Sequence, residues 1–250
     1  MSAIDILLIV GAGIAAGTIN AVVGSGSLIT FPTLLALGYA PVVANVSNTL
    51  GLVPGSISGA LGYRDKLVGK GRAVGRLAPW CAAGALTGGL LLLSLPEAVF
   101  EGVVIVLIAI ALLLVLIQPW LTRRLRSGQG VGRHAAWALP LGLVATSMYG
   151  GYFGAAQGVL FIAVLGILLT DDLQEANAFK NVLAAVVNGT AAILFIAVSD
   201  PDWAVVGLLA GASTMGGVIG ARVGKRLPPA ILRLVIIAIA LLAIARVATR

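Results

Sequence analysis

Ala44-Asn45-Val46-Ser47-Asn48 and Ala176-Asn177-Ala178-Phe179-Lys180-Asn181 align at an offset of 132 residues. At the same offset Gly26 meets Gly158 and Leu28 meets Leu160. The surroundings repeat as well. Each motif is preceded by a long apolar run and a short Gly-led one, and each is followed by a pair of apolar runs. The chain therefore reads as five elements, a basic linker and five elements again. The other reading is chance similarity between Gly- and Ala-rich helices.

Composition says what kind of elements these are. Of 250 residues, 60% are hydrophobic and 10% charged, with a mean hydropathy of +1.09. A soluble domain carries roughly 25% charged residues. So little charge cannot solvate the surface of a water-soluble fold. This excludes a cytosolic enzyme, a disordered chain and a secreted disulfide scaffold. Cys81 stands alone and forms no internal disulfide. The 33 glycines fit helices that pack backbone to backbone in a membrane.

Apolar runs of about 20 residues read as spanning helices. They fall near 3–23, 42–61, 75–95, 97–117, 135–153, 176–198, 203–221 and 230–248. Runs near 27–38 and 156–169 are shorter. At ~1.5 Å per residue they reach about 18–21 Å, against a hydrocarbon core of roughly 30 Å. They read as half-helices or re-entrant segments. The fold class is an all-α polytopic membrane protein with two inverted repeats: 1–117, a basic cytoplasmic linker 118–134, and 135–250. The start of the chain has no basic region of the signal-peptide kind.

Charge sets orientation. Basic loops comprise Arg64, Lys66, Lys70, Arg72 and Arg76, then Arg123, Arg124, Arg126 and Arg133, then Arg222, Lys225, Arg226 and Arg233. All should face the cytoplasm. Pro96-Glu97 and Ser199-Asp200-Pro201-Asp202 carry no basic residue and should face outside, as should both termini. The net charge of +7 thus reports topology, and nucleic acid is not an expected partner. Trp80, Trp120, Trp137 and Trp203 near helix ends fit an interfacial belt or ordinary helix-end packing. The run at 42–61 precedes a basic loop and must run inward. The run at 176–198 precedes an acidic loop and must run outward. An odd number of elements per repeat gives the same inversion. Inverted repeats with interrupted helices are typical of secondary transporters.

Two polar clusters could carry function. The first is Asn20-Ala21-Val22-Val23-Gly24-Ser25-Gly26-Ser27, with the counterpart Tyr149-Gly150-Gly151-Tyr152-Phe153-Gly154-Ala155-Ala156-Gln157-Gly158. Gly24, Gly26, Gly151, Gly154 and Gly158 permit the backbone to break. Asn20, Ser25, Ser27 and Gln157 stand near the half-helix starts. A helix start offers free N–H groups and a positive dipole end, which suit an anion. Tight turns or close helix contacts are the plainer reading, yet broken backbone at membrane depth is buried or lines a cavity. The second cluster is Asn45, Ser47, Asn48 and Thr49, with Asn177, Lys180, Asn181 and Asn188. Asn45 and Asn48 share a helix face, as do Asn177 and Asn181. Lys180 lies outside the basic loops, inside a spanning run. A charge there is costly and points to function. Alternatively it snorkels toward Asp171, Asp172 and Glu175.

Some chemistry is absent. No carboxylate lies at the centre of a span, so a midplane proton relay is not expected. His134 lies beside a basic loop. No spacing suggests a metal site or a nucleophilic triad, and neither metal nor cofactor is expected. Gly11-Ala12-Gly13 lacks the strand context of a dinucleotide fingerprint. Asn188-Gly189-Thr190 is a sequon placed inside a helix. The spacings Gly84/Gly88 and Gly216/Gly220/Gly224 read as intramolecular packing, and a homodimer stays open.

The paired motifs, Asn20 to Ser27 with Ala44 to Thr49, and Gly150 to Ala155 with Ala176 to Asn181, resemble the TauE/SafE family of sulfite exporter or sulfonate-permease-like proteins. The layout resembles that family over nearly the whole chain. The resemblance implies a bacterial inner-membrane carrier of a small sulfur-containing or organic anion, such as sulfite, thiosulfate or a sulfonate. It selects no substrate and no direction.

The expectation is a secondary carrier, not an enzyme, working by alternating access. Lys180 supplies charge, Asn45, Asn48, Asn177 and Asn181 supply donors, and Ser25, Ser27, Gln157 and Asn20 add contacts. Uniport, exchange and proton-linked transport all stay open. The alternatives are an anion channel or a membrane subunit of a larger assembly.

Overall fold

The computed structural model describes residues 1–126, 137–170 and 172–223. The expected span at 230–248, Asp171, Arg133, His134, Gly224, Lys225, Arg226 and Arg233 lie outside these. The described residues form α-helices joined by short turns. They are α1 Ala3–Val22, α2 Ser27–Ala36, α3 Pro41–Gly62, α4 Gly71–Ser94, α5 Glu97–Arg126, α6 Ala138–Tyr152, α7 Gln157–Leu168, α8 Leu173–Val198 and α9 Trp203–Val223. A 3-10 turn, Arg64–Leu67, lies between α3 and α4.

Five of these, α1, α4, α5, α8 and α9, contain stretches long and apolar enough to cross a membrane. The helix α3 has 22 residues but is not among them. Its Asn, Ser, Thr and Gly residues make it more polar, and most of its middle is buried. The short helices α2 and α7 occupy the places expected for half-helices. One boundary differs from the sequence expectation. The helix α5 runs on to Arg126, so residues 118–126 of the expected linker are helical.

Acidic residues at the helix ends cap helices. Ser2 and Asp5 form a reciprocal capping box at the start of α1. Asp172 accepts from the N–H groups of Gln174 and Glu175, at 2.8 and 3.4 Å. Asp202 accepts from those of Ala204 and Val205, at 3.0 and 3.1 Å. These orphan donors would otherwise be unpaired. Pro41 opens α3, where its missing N–H costs nothing.

The offset of 132 recurs in the helix register. The helices α3 and α8 start at 41 and 173, and α4 and α9 at 71 and 203. One closely packed pair also corresponds to another at that offset: α1 lies on α9 as α6 lies on α4. Glycines permit both. A Cβ at Gly220 would stand 2.5 Å from the Thr18 carbonyl oxygen, and one at Gly84 would stand 2.8 Å from Ser147 Cβ. The small-residue spacings therefore serve packing within the chain.

Two links tie the ends together. Lys70, in the first basic loop, pairs with Glu175 at the start of α8. At the other end, the Asp202 N–H donates to Ser47 Oγ at 2.9 Å. Burial and the Asp202 carboxylate beside it raise the Tyr39 phenol above its usual value. The Trp80, Trp120, Trp137 and Trp203 side chains are all exposed, though Trp80 sits well inside α4. An aromatic cluster backs the centre. Phe31 meets Phe153 edge-on at 5.2 Å and Phe100 at 6.5 Å, joining α2, α5 and the turn after α6.

Candidate functional site

The centre is built from two backbone breaks that touch. The first helix ends as the Val23 and Gly24 N–H groups both fold back onto the Ile19 carbonyl, at 2.7 and 3.0 Å. Gly24 then turns left-handed, at φ +85°. Asn20 Oδ1 accepts the Gly26 N–H at 2.7 Å, which holds the entry to α2. In the second break Gly154 has φ +76° and Ala156 φ +59°. Ala156 is equivalent to Gly24 at the 132-residue offset, yet it carries a Cβ in a region that L-residues rarely adopt. Tyr149 Oη donates to the Ala155 carbonyl at 2.7 Å and braces the turn. The breaks join where the Gly158 N–H donates to the Gly24 carbonyl at 2.9 Å.

Amides from the long helices hold these turns in place. Asn45 Nδ2 donates to the Tyr152 carbonyl at 2.9 Å. Asn177, its equivalent, donates to the Ala21 carbonyl at 3.4 Å, and Asn181 donates to the same oxygen at 3.2 Å. Each half thus grips the end of the other half's first helix. Asn48 Nδ2 donates to Ser27 Oγ at 3.2 Å, and the Thr30 hydroxyl donates to Asn48 Oδ1.

Lys180 is 1% exposed. Its Nζ donates to the carbonyls of Asn20 at 2.9 Å and Ala21 at 3.3 Å. Those carbonyls end α1, where the helix dipole is negative and the oxygens lack helical partners. Glu175 is engaged by Lys70 instead. Lys180 Nζ thus sits at the end of α1 and not on Glu175.

A cavity of about 20 Å³, of the order that seats one water-sized group, is lined in part by Lys180. The end of α1 and the first break give Asn20, Ala21, Gly24 and Ser27 to its wall. The second break gives Gly154, Gln157 and Gly158. The helix α8 gives Lys180, Asn181, Ala184 and Asn188, and α3 gives Gly55, Ser56 and Gly59. Gln157 Nε2 is buried without a partner. Among the described residues no acidic side chain lines the cavity. Such a wall presents donors and one cation, and suits an anion.

Several expected site residues lie elsewhere. Asn45, Asn48 and Asn177 are buried braces, not part of the wall. Ser25 is 1% exposed and its Oγ has no partner, but it too is off the wall. Gly26 packs on α1, with Asn20 Cγ 2.8 Å from where its Cβ would be. Gly151 marks no break. It lies inside α6, and a Cβ there would press on Ala85 of α4. Ser56, Gly55 and Gly59 were not singled out by sequence, although Ser56 falls opposite Asn188 at the repeat offset. Among the described residues no cluster of His, Cys, Asp and Glu could hold a metal.

Residues 9–247 match the family described as "Sulfite exporter TauE/SafE". The chain is 29% identical over 216 residues to "Probable membrane transporter protein YfcA" of Escherichia coli strain K12, covering 85% of this chain and 76% of that one. It is 29% identical over 223 residues to a "Probable membrane transporter protein" of Haemophilus influenzae, covering 88% and 85%. It is 31% identical over 217 residues to "Probable membrane transporter protein ORF9" of Sinorhizobium sp, covering 84% and 78%. No solved structure matches. With its helix-rich membrane fold, this chain is a multi-pass membrane protein that belongs to the TauE/SafE family of membrane transporters.

Proposed function

We propose that the protein carries a small anion of the sulfite, thiosulfate or sulfonate class across the bacterial inner membrane, by alternating access between two inverted five-element halves. The observation that carries the reading is Lys180, buried in the wall of a cavity at two helix breaks that, among the described residues, no acidic side chain lines. Gln157 lines the same cavity, and its buried Nε2 has no hydrogen-bond partner, which supports it as a further donor. The matching helix starts at the 132-residue offset support the division into halves. The loop charges support their opposite orientation, with both termini outside. The cavity is tight in this conformation, so the halves must part to admit an oxyanion. Broken backbone at the centre supplies the hinge-like points that interrupted transporter helices use.

The test is binding of sulfite to purified protein, followed by thermal unfolding. At a free concentration near 100 times Kd, a bound ligand adds about 2.7 kcal/mol of stability. Sulfite or a short sulfonate should raise the melting temperature, while sodium or potassium chloride at equal ionic strength should not. Equal responses to all salts would remove the reading.

A further inference from the structure

Ser56 and Asn188 are 132 residues apart and bonded to each other: Asn188 Nδ2 donates to Ser56 Oγ at 3.0 Å. A residue pair that is equivalent between two halves and also in contact straddles the relation between them. If an axis in the membrane plane inverts one half onto the other, that contact lies on the axis, at mid-membrane. Both residues also line the cavity. Asn188 and Lys180 stand eight residues apart, so about 12 Å of α8 separates them along its axis, near one face. Ser56 is anchored, since its hydroxyl donates to the Leu52 carbonyl at 3.0 Å. Gly55 and Gly59 flank it without side chains, leaving its hydroxyl as the polar group that α3 offers to the cavity.

We propose that Ser56 and Asn188 are specificity-determining residues that close the cavity opposite the lysine end and set how large an anion it takes. This deepens the anion-carrier reading and rests on it. Lys180 and the helix starts hold the charged head of the anion. The Ser56–Asn188 bridge meets whatever extends beyond it. Being on the axis, the bridge keeps its central place when the two halves exchange conformations. The same two side chains therefore inspect the substrate from either side of the membrane. Asn188 has a second amide hydrogen to give to an oxyanion without releasing Ser56.

The experiment titrates sulfite and ethanesulfonate into detergent-purified wild type, Asn188→Ala and Ser56→Ala by calorimetry. Asn188→Ala removes an amide's volume from the wall, so it should relax the preference for sulfite over ethanesulfonate by about tenfold, the size expected for one methylene of fit. Ser56→Ala removes one oxygen and should shift the ratio the same way by a smaller factor. It serves as the deciding variant if Asn188→Ala does not elute as a single folded species. If wild type binds sulfite and both variants change the two affinities by the same factor, or not at all, the pair is only a helix brace and the proposal is overturned. If wild type binds neither anion, the carrier reading itself fails, and this one with it.

Discussion

Gly158→Ala tests whether the two backbone breaks touch. A Cβ at Gly158 would press hardest on the Gly24 Cα, and would lie 2.8 Å from the Gly24 carbonyl oxygen and 3.0 Å from its carbon. Carbon atoms settle at about 3.5–4.0 Å, so the two turns would have to separate by roughly one ångström or more. Neither neighbour is a flexible side chain that can step aside. Separation also stretches the 2.9 Å bond from the Gly158 N–H to the Gly24 carbonyl. Overpacking costs about 1–3 kcal/mol, and a lost hydrogen bond about 1 kcal/mol. The sum is a loss of about 2–4 kcal/mol. Gly207→Ala is the control. Nothing lies within 4 Å of a Cβ there, inside α9. Relieving a mid-helix glycine should gain about 0.5–1 kcal/mol. Equilibrium unfolding in one detergent, followed by tryptophan fluorescence, measures both. Gly158→Ala as stable as wild type would refute the contact between the breaks, and with it the geometry of the cavity.

In a Cys81→Ala background, a cysteine at Asp200 should react with a membrane-impermeant maleimide from outside intact cells, and one at Lys66 only after the cells are opened; the reverse at either position breaks the inverted arrangement. Glu175→Gln should change stability by about 1 kcal/mol or less, because the pair is partly exposed to solvent. The same variant should leave sulfite affinity unchanged by calorimetry; a clear fall in affinity would mean that Glu175 acts on Lys180 after all.

Much of this fold was legible in the sequence because a bilayer enforces length and apolarity. Among the described residues, the long apolar runs form helices at nearly the expected places, and the two runs too short to span form α2 and α7. The helix α3 was legible both as the apolar run at 42–61 and through its copy, α8. The identity of the braces was not legible. Asn45 and Asn177 are chemically able to hold either a ligand or a carbonyl. Only the packing register put the Tyr152 and Ala21 carbonyls in front of them. The glycine clusters were equally ambiguous. Gly151 and Gly154 are three residues apart, and which one breaks the chain depends on where α6 stops. The left-handed turn at Ala156 had no glycine to announce it. Ser56 could have been found by following the 132-residue offset back from Asn188, since the repeat pairs the two.

Lys180 was visible as a misplaced charge, but its direction was not. Two readings, inward or toward the membrane edge, differ by a rotation that sequence does not encode. In the structure the ammonium lies at the end of α1, on the Asn20 and Ala21 carbonyls, while Glu175 pairs with Lys70. That contact occupies two of the three Nζ hydrogens and leaves one for a ligand.

The most direct measurement is counterflow in proteoliposomes preloaded with unlabelled sulfite and diluted into a trace of labelled sulfite. A carrier with Lys180 at its site should accumulate label transiently in wild-type vesicles, and Lys180→Met of equal folded yield should not. Equal accumulation by Lys180→Met, or a conductance without counterflow in wild type, would contradict the account.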